Sequence, residues 1–166
     1  MDVLLRQVTA EDLPLLDAWR GDPDAEGEFN DFGLARTRST VEGNHLVVEA
    51  DGQPIGTVSW QEVRYGPNDE SRAVNIGIAL IPEARGKGHG AVAQRMLVRY
   101  LFATTPVNRV EASTDVDNIA EQKSLERAGF TREGYRRAHT WIKNEWTDDL
   151  LYGLLANEWA APDQPS

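Results

Sequence analysis

Residues Ile81–Leu97 read IPEARGKGHGAVAQRML, and six of them, Arg85-Gly86-Lys87-Gly88-His89-Gly90, alternate three basic side chains with three glycines as a helical pattern begins. A glycine-rich turn that feeds a helix leaves several backbone N–H groups pointing at one anion, and the helix dipole adds about half a positive charge there. Glycine suits the turn because a Cβ would block close backbone approach to a bulky pyrophosphate. Arg85 and Lys87 are placed to add charge-assisted hydrogen bonds at the rim. The stretch predicts an anion cradle, and the rest of the chain must say what the anion belongs to.

Two nucleotide motifs compete for it. A Walker A loop needs Ser or Thr directly after its Gly-Lys pair; here Lys87 is followed by Gly88, so that motif fails. The dinucleotide fingerprint G-x-G-x-x-G/A is met by Gly86, Gly88 and Ala91, with the acid Glu111 about twenty residues on. Against it, Pro82-Glu83-Ala84-Arg85 separates the preceding strand from the first glycine, and the half of the chain before the turn reads as hairpins rather than βαβ units. A nicotinamide-cofactor oxidoreductase stays as the less favoured alternative.

Outside this turn the chain is acidic. Its formal net charge of −10 gives solubility and argues against general affinity for nucleic acid or an anionic membrane. Its 166 residues fit one domain with its own core. The absence of cysteine excludes a disulfide scaffold, a thiolate zinc site and a Cys nucleophile, and suits a reducing setting such as the cytoplasm. Met1–Arg6 lacks the basic start and apolar run of a secretory signal, and no stretch approaches the roughly 18 apolar residues of a membrane span.

Hydrophobic periodicity lays out the elements. Val3–Val8 reads as a strand, Thr9 with Asp12 as a helix start, and Leu13, Leu16 and Trp19 as an apolar stripe ending near Gly21. Asp22–Gly33 is an acidic loop and Leu34–Val41 a second short helix. Leu46–Ala50, the Asp51-Gly52 turn and Ile55–Trp60 form a hairpin, and a loop over Tyr65–Asp69 leads to a strand over Ala73–Ile81. A helix spans Gly88–Ala103 with Ala93, Met96, Leu97, Tyr100 and Leu101 on its apolar face. Val107–Thr114 is a strand, Asn118–Ala128 a short helix, and Phe130–Lys143 pairs with Glu145–Leu155 around Lys143-Asn144. The order predicts one mixed α/β domain over 1–160, not a doubly wound parallel one, with 161–166 as a C-terminal tail.

These residues resemble the GNAT superfamily of N-acetyltransferases. Arg85-Gly86-Lys87-Gly88-His89-Gly90 resembles the family's Gln/Arg-x-x-Gly-x-Gly/Ala signature, after a strand and at a helix start. Asp117-Asn118-Ile119-Ala120 and Leu125-Glu126-Arg127-Ala128-Gly129-Phe130 resemble its Asn…Gly-Phe block. Phe130–Tyr135, Trp146–Tyr152 and Glu158-Trp159 are similar to the RimJ/RimL-like branch, which acetylates ribosomal-protein N-termini and various small amines; Leu5-Arg6 and Ala10-Glu11-Asp12 suit its opening. One departure stands out: Glu121 occupies the place where many relatives carry a Ser that some use to protonate the leaving thiolate.

The resemblance implies a mixed, mostly antiparallel sheet of about seven strands with helices on both faces, acetyl-CoA as acyl donor and no metal. It places pyrophosphate on Arg85, Gly86, Lys87, Gly88, His89, Gly90 and Ala91. The pantetheine arm and thioester carbonyl would lie along Ile78, Ala79 and Leu80, as though the arm were an extra strand, with the following strand splayed away. Asn118 is expected near the sulfur; with Glu121 three residues on it is equally a helix-capping pair. Transfer needs a neutral, positioned amine, so a base is sought among Glu28, Asp31, Asp115 and His139, and an acid among Tyr135 and Tyr152. The acceptor is an amine-bearing small molecule or a protein N-terminus; nucleic acid and membrane are not expected partners, and a homodimer is compatible with the chain. A catalytically silent acyl-CoA-binding domain is the other alternative, because Glu121 replaces the Ser and the base is undecided.

Overall fold

The computed structural model describes residues 2–20, 40–142 and 144–159. Its strands are β1 (Val3–Arg6), β2 (His45–Ala50), β3 (Gln53–Arg64), β4 (Arg72–Leu80), β5 (Arg109–Asp115), β6 (Thr131–Ile142) and β7 (Glu145–Leu155). They form one seven-stranded sheet in the order β1-β2-β3-β4-β5-β7-β6. Among these neighbours only β4 and β5 are parallel, and they are registered at just two positions, Val74↔Val110 and Asn75↔Glu111. The expected mixed, mostly antiparallel sheet is therefore present. The second short helix, Glu28 and Asp31 fall outside the described residues, apart from Thr40 and Val41, which are not helical.

Alternation along β2 sends Val47 and Val48 to opposite faces, and each is fully buried. Val47 packs with Val8 and Leu16 of α1 (Leu13–Arg20). Val48 joins the main core with Val58, Val74, Val110 and the helices α2 (His89–Thr104) and α3 (Ile119–Ala128). Helices thus cover both faces; a short α4 (Ala156–Trp159) ends the described chain. Of the predicted face of α2, Ala93, Leu97 and Leu101 are buried, while Gln94 and Val98 are buried in place of Met96 and Tyr100. Tyr100 sits at the margin, edge-on to Trp60 with ring centroids 5.6 Å apart. Among the described residues no helix is long and apolar enough to cross a membrane.

The hairpin turn is built as its sequence requires. Asp51 (φ 50°) and Gly52 (φ 79°) are both left-handed, the twist that a two-residue turn needs. β3 runs on to Arg64, beyond the predicted Trp60, because its residues stay registered with β4 as far as Arg64↔Arg72. β1 ends early, at Arg6, whose side chain is drawn to the start of α1. There it makes two hydrogen bonds to Asp12, at 2.7 and 2.8 Å, and a third to Glu49 at 2.5 Å. Asp12 also accepts from Thr9 N–H at 2.8 Å and Thr9 Oγ1 at 2.9 Å, so the predicted cap and the strand-to-helix joint share one buried carboxylate.

Arg6, then the Thr9 hydrogen bonds, hold the Asp12 carboxyl well below the usual carboxylate range, against the opposing effect of burial. A depressed folded-state value means this stability is present above about pH 4 and is lost as the pH falls below it. Asp12→Asn should cost about 1.5–3 kcal/mol at pH 7. Urea unfolding at stepped pH should show the gap to the unsubstituted protein closing in acid.

Candidate active site

The ladder between β3 and β4 fixes what β4 offers to the other side. At its ends Ile81 N–H bonds to Ile55 C=O at 2.9 Å and Tyr65 N–H to Ser71 C=O at 2.8 Å. In register with these, the odd-numbered residues of β4, Ala79 among them, turn their backbone groups to β3. The even-numbered ones, Ile76, Ile78 and Leu80, turn theirs toward β5, but registered pairing with β5 stops at Asn75↔Glu111. Beyond it lies an open strand edge. Of the three predicted arm-binding residues, Ile78 and Leu80 present backbone there, while Ala79 contributes only its side-chain face.

The edge leads into the glycine turn through a single turn of 3-10 helix, Pro82–Ala84. Arg85 Nε donates to Leu80 C=O at 2.8 Å, tying the turn to the end of β4. The expected role of His89 in the cradle narrows to its backbone: its ring is buried and Nδ1 lies 3.2 Å from Ala84 C=O, so the side chain braces the turn and its N–H is the group left toward an anion. Gly86 (φ 71°) and Gly88 (φ 85°) are left-handed, and a Cβ built on either meets no atom within 4 Å. That is the free space a ligand needs. Val92 N–H makes the first bond back, to Gly88 C=O, which leaves the N–H groups of His89, Gly90 and Ala91 as orphan donors at a helix start. Among the described residues an anion-sized cradle and an open strand edge are continuous.

Asn118 caps α3: its Oδ1 accepts from Glu121 N–H at 3.1 Å. The reciprocal half of the predicted capping pair differs, because the Glu121 carboxylate accepts from Gln94 Nε2 of α2. Gln94 is 2% exposed, and it also accepts from Ser124 at 2.8 Å, so the swap from Ser to Glu serves helix packing here. Glu111, the acid of the dinucleotide fingerprint, is 2% exposed and bound by Tyr65 and Arg109. A ribose cannot reach it, and the fingerprint reading fails.

The opposite wall comes from β6 and β7. Between Arg136↔Asp149 and Thr140↔Thr147 the register slips, giving three residues of β6 against one of β7. Ala138 is left-handed (φ 47°), and Asp148 pins the bulge by accepting Ala138 N–H at 2.7 Å. The bulge re-aims the next side chain: His139 Nδ1 lies 3.0 Å from Asp149 Oδ2. Asp149 is 3% exposed and is also gripped by Arg136 at 2.7 and 2.6 Å. A carboxylate only accepts, so the ring holds its proton at Nδ1, and Nε2 is the nitrogen left for a substrate.

The remaining candidates are placed elsewhere. Asp115 ends β5 opposite Asp149, but its carboxylate accepts Asp117 N–H at 2.8 Å and shapes the turn into α3. Tyr152 is fully buried with its hydroxyl toward Glu126, and Tyr135 is bonded to Asp148. Neither lines the cleft, so the expectation of a tyrosine acid is corrected. Asp149 was missed. In the run Trp146-Thr147-Asp148-Asp149 alternation puts one aspartate on each face, but only the bulge brings a histidine to the inner one.

Between the two walls lies a cleft of about 1870 Å³, lined among others by Ile78, Leu80, Gly88, Asn118, His139 and Trp141. It exceeds the roughly 300–1,000 Å³ of a site for one drug-sized ligand and has room for two reactants.

Comparison with known proteins agrees with this geometry. Residues 2–131 match the family model for the acetyltransferase (GNAT) domain. The probable N-acetyltransferase YjcK of Bacillus subtilis (strain 168) is 32% identical over 110 residues, 66% of this chain and 59% of that protein, so the match spans less than two thirds of that relative. The uncharacterized N-acetyltransferase p20 of Bacillus licheniformis is 26% identical over 171 aligned residues, 94% of each chain. Mycobacterium smegmatis RimJ, solved in complex with CoA-disulfide, superposes with a TM-score of 0.76 at 22% identity, covering 95% of this chain and 84% of that one. At that identity the likeness is one of fold. The family model spans most of the chain and its fold, glycine turn and open strand edge agree with it, so the chain belongs to the acetyltransferase (GNAT) domain family.

Proposed function

We propose that the protein moves the acetyl group of acetyl-CoA to a primary amine, on a small molecule or a protein N-terminus, by direct attack. The observation that carries this is the open edge of β4 running without a break into the glycine cradle. An amide-bearing arm adds to such an edge as a further strand, and the phosphates at its end fall on the N–H groups of His89, Gly90 and Ala91. Ile78 N–H faces the gap and is placed to donate to the thioester oxygen as negative charge develops. Gly86 and Gly88 leave the space that the phosphates require, and Asn118 borders the arm from the start of α3.

The thioester supplies an activated carbonyl. His139 supplies the base: Nε2 takes the proton from the ammonium, and Asp149 holds the ring in the correct tautomer and stabilises its charged form. The C–N bond forms, the C–S bond breaks, sulfur leaves as a thiolate, and the second proton of the attacking nitrogen passes to that thiolate to give the neutral amide and the free thiol. Because thiols have a pKa of about 8.5, the step asks little of a protein acid, in keeping with Tyr135 and Tyr152 standing outside the cleft. Trp141 and Tyr65, which also line it, give the acceptor side an aromatic border.

Isothermal titration with acetyl-CoA should show one saturable site, and Gly88→Val should weaken it by more than about tenfold, since a side chain would fill the phosphate position on a left-handed backbone. Arg85→Ala should cost less, because the backbone donors remain. Unchanged affinity in a folded Gly88→Val protein would refute the cradle.

His139→Gln should lower kcat by about 10²–10³ with acetyl-CoA affinity unchanged. Asp149→Asn should reduce kcat, because the His139 ring loses the partner that orients it, checked against a thermal melt. A full rate in His139→Gln would remove His139 from the mechanism.

A further inference from the structure

We propose that Asn75 and Ser113 determine which acceptor the protein takes: they hold a neutral hydroxyl or amide group carried a few atoms from the reacting amine; this rests on the acetyl-transfer reading above. Alternation decides which face each side chain occupies. Val74 and Ile76 of β4, Val110 and Ala112 of β5 and Val58 of β3 all enter the main core with α2 and α3. Asn75, Gly77, Ser113 and Ser59 therefore stand on the other face of the sheet, the one on which α1 packs, and all four line the cleft. Asp149 is on this face too, because it is registered with Asp115, two residues on from Ser113, and it holds His139. The base and these polar groups share the acceptor side.

The two residues stand on opposite lips of the gap, at its closed end. Asn75 is the last residue of β4 registered with β5. Ser113 is the first side chain of β5 on this face past the split, about 6.6 Å along the strand from Glu111. Gly77, the next residue of β4 on this face, is bare: a Cβ there would lie 3.2 Å from Ser59 Oγ. A notch floored by backbone, directly before Ile78, is thus rimmed by one amide and two hydroxyls. None of these three side chains bonds another described residue, and Asn75 and Ser113 are half-buried. Together they offer donors and acceptors without charge, and groups of this kind gain most from a ligand that pairs with them. Asp149, the carboxylate lining this side, is committed to Arg136 and His139. The attacking nitrogen must face the thioester in the open part of the gap, so the substituent it carries falls on the closed end. There a hydroxyl or amide is matched, whereas an alkyl group leaves the protein's own polar groups unpaired, and a site built to hydrogen-bond a substrate discriminates against such an analogue.

The test follows thiol release from saturating acetyl-CoA with 3-amino-1-propanol or n-butylamine, a pair of equal length in which a methyl replaces the hydroxyl. It uses the unsubstituted protein and the double variant Asn75→Leu, Ser113→Ala, with thermal melts to verify the fold and calorimetry to verify that acetyl-CoA still binds. The unsubstituted protein should show a kcat/KM about tenfold or more higher for the amino alcohol, carried mainly by KM. The double variant should lose about that factor on the amino alcohol alone, bringing the two amines level, while its affinity for acetyl-CoA is kept. Equal kcat/KM for the two amines in the unsubstituted protein, a preference that survives in the variant, or a fall in both amines alike would overturn the proposal and leave acetyl transfer standing. If acetyl-CoA did not bind, or released no thiol with either amine, the transfer reading itself would fall and this inference with it, so the two failures are told apart.

Discussion

The ladder between β4 and β5 holds for two registered positions and then parts, and the rest of the site is arranged around that gap. Parallel pairs are slightly weaker per residue than antiparallel ones, yet the strands do not drift. β4 is registered with β3 at nine positions and β5 with β7 at seven. Each strand is thus held straight by its outer neighbour while its inner edge stays free. Fully buried Val110 and nearly buried Val74 close the seam just below the opening.

The glycine turn depends on the same edge. Two of its basic side chains are spent on local carbonyls, Arg85 on Leu80 and His89 on Ala84. Those bonds tie the start of α2 to the end of β4, so the orphan N–H groups and the open strand border one cleft. The second helix is coupled through a buried amide: Gln94 bridges α2 to Glu121 and Ser124 of α3. Leaving either side of that amide unpaired would carry the cost of a buried polar group without a partner.

Much of this was legible in the residues. Alternation in β2 and β3, the Asp51-Gly52 turn, the Thr9–Asp12 cap and the glycine run each carry a local physical signal, and the structure follows them. What was hidden is non-local. The distinction between Ala79 and its neighbours Ile78 and Leu80 depends on ladder phase. The role of Asp149 depends on a bulge whose anchor, Asp148, bonds a residue ten positions away. The inward turn of His89 depends on a backbone carbonyl at Ala84, which no side-chain pattern encodes. Glu121 stood where a reactive hydroxyl was looked for, and its meaning came only from the helix packed against it.

The join between β5 and β7 has a consequence for how the protein can change. It is made by backbone hydrogen bonds, which are largely indifferent to side-chain identity. The jaw that carries His139 and Trp141 is a hairpin, held along that seam and by Leu150, Tyr152 and Leu154 in the main core. Its inner surface can be redrawn by substitution, or exchanged for a hairpin from a relative, while the ladder that grips it stays intact. The jaw that carries the glycine turn has less such freedom, because Gly86 and Gly88 are left-handed and the helix start is set by them. Diversification, natural or engineered, has an exchangeable half and a constant half, and the border between them is a row of main-chain bonds.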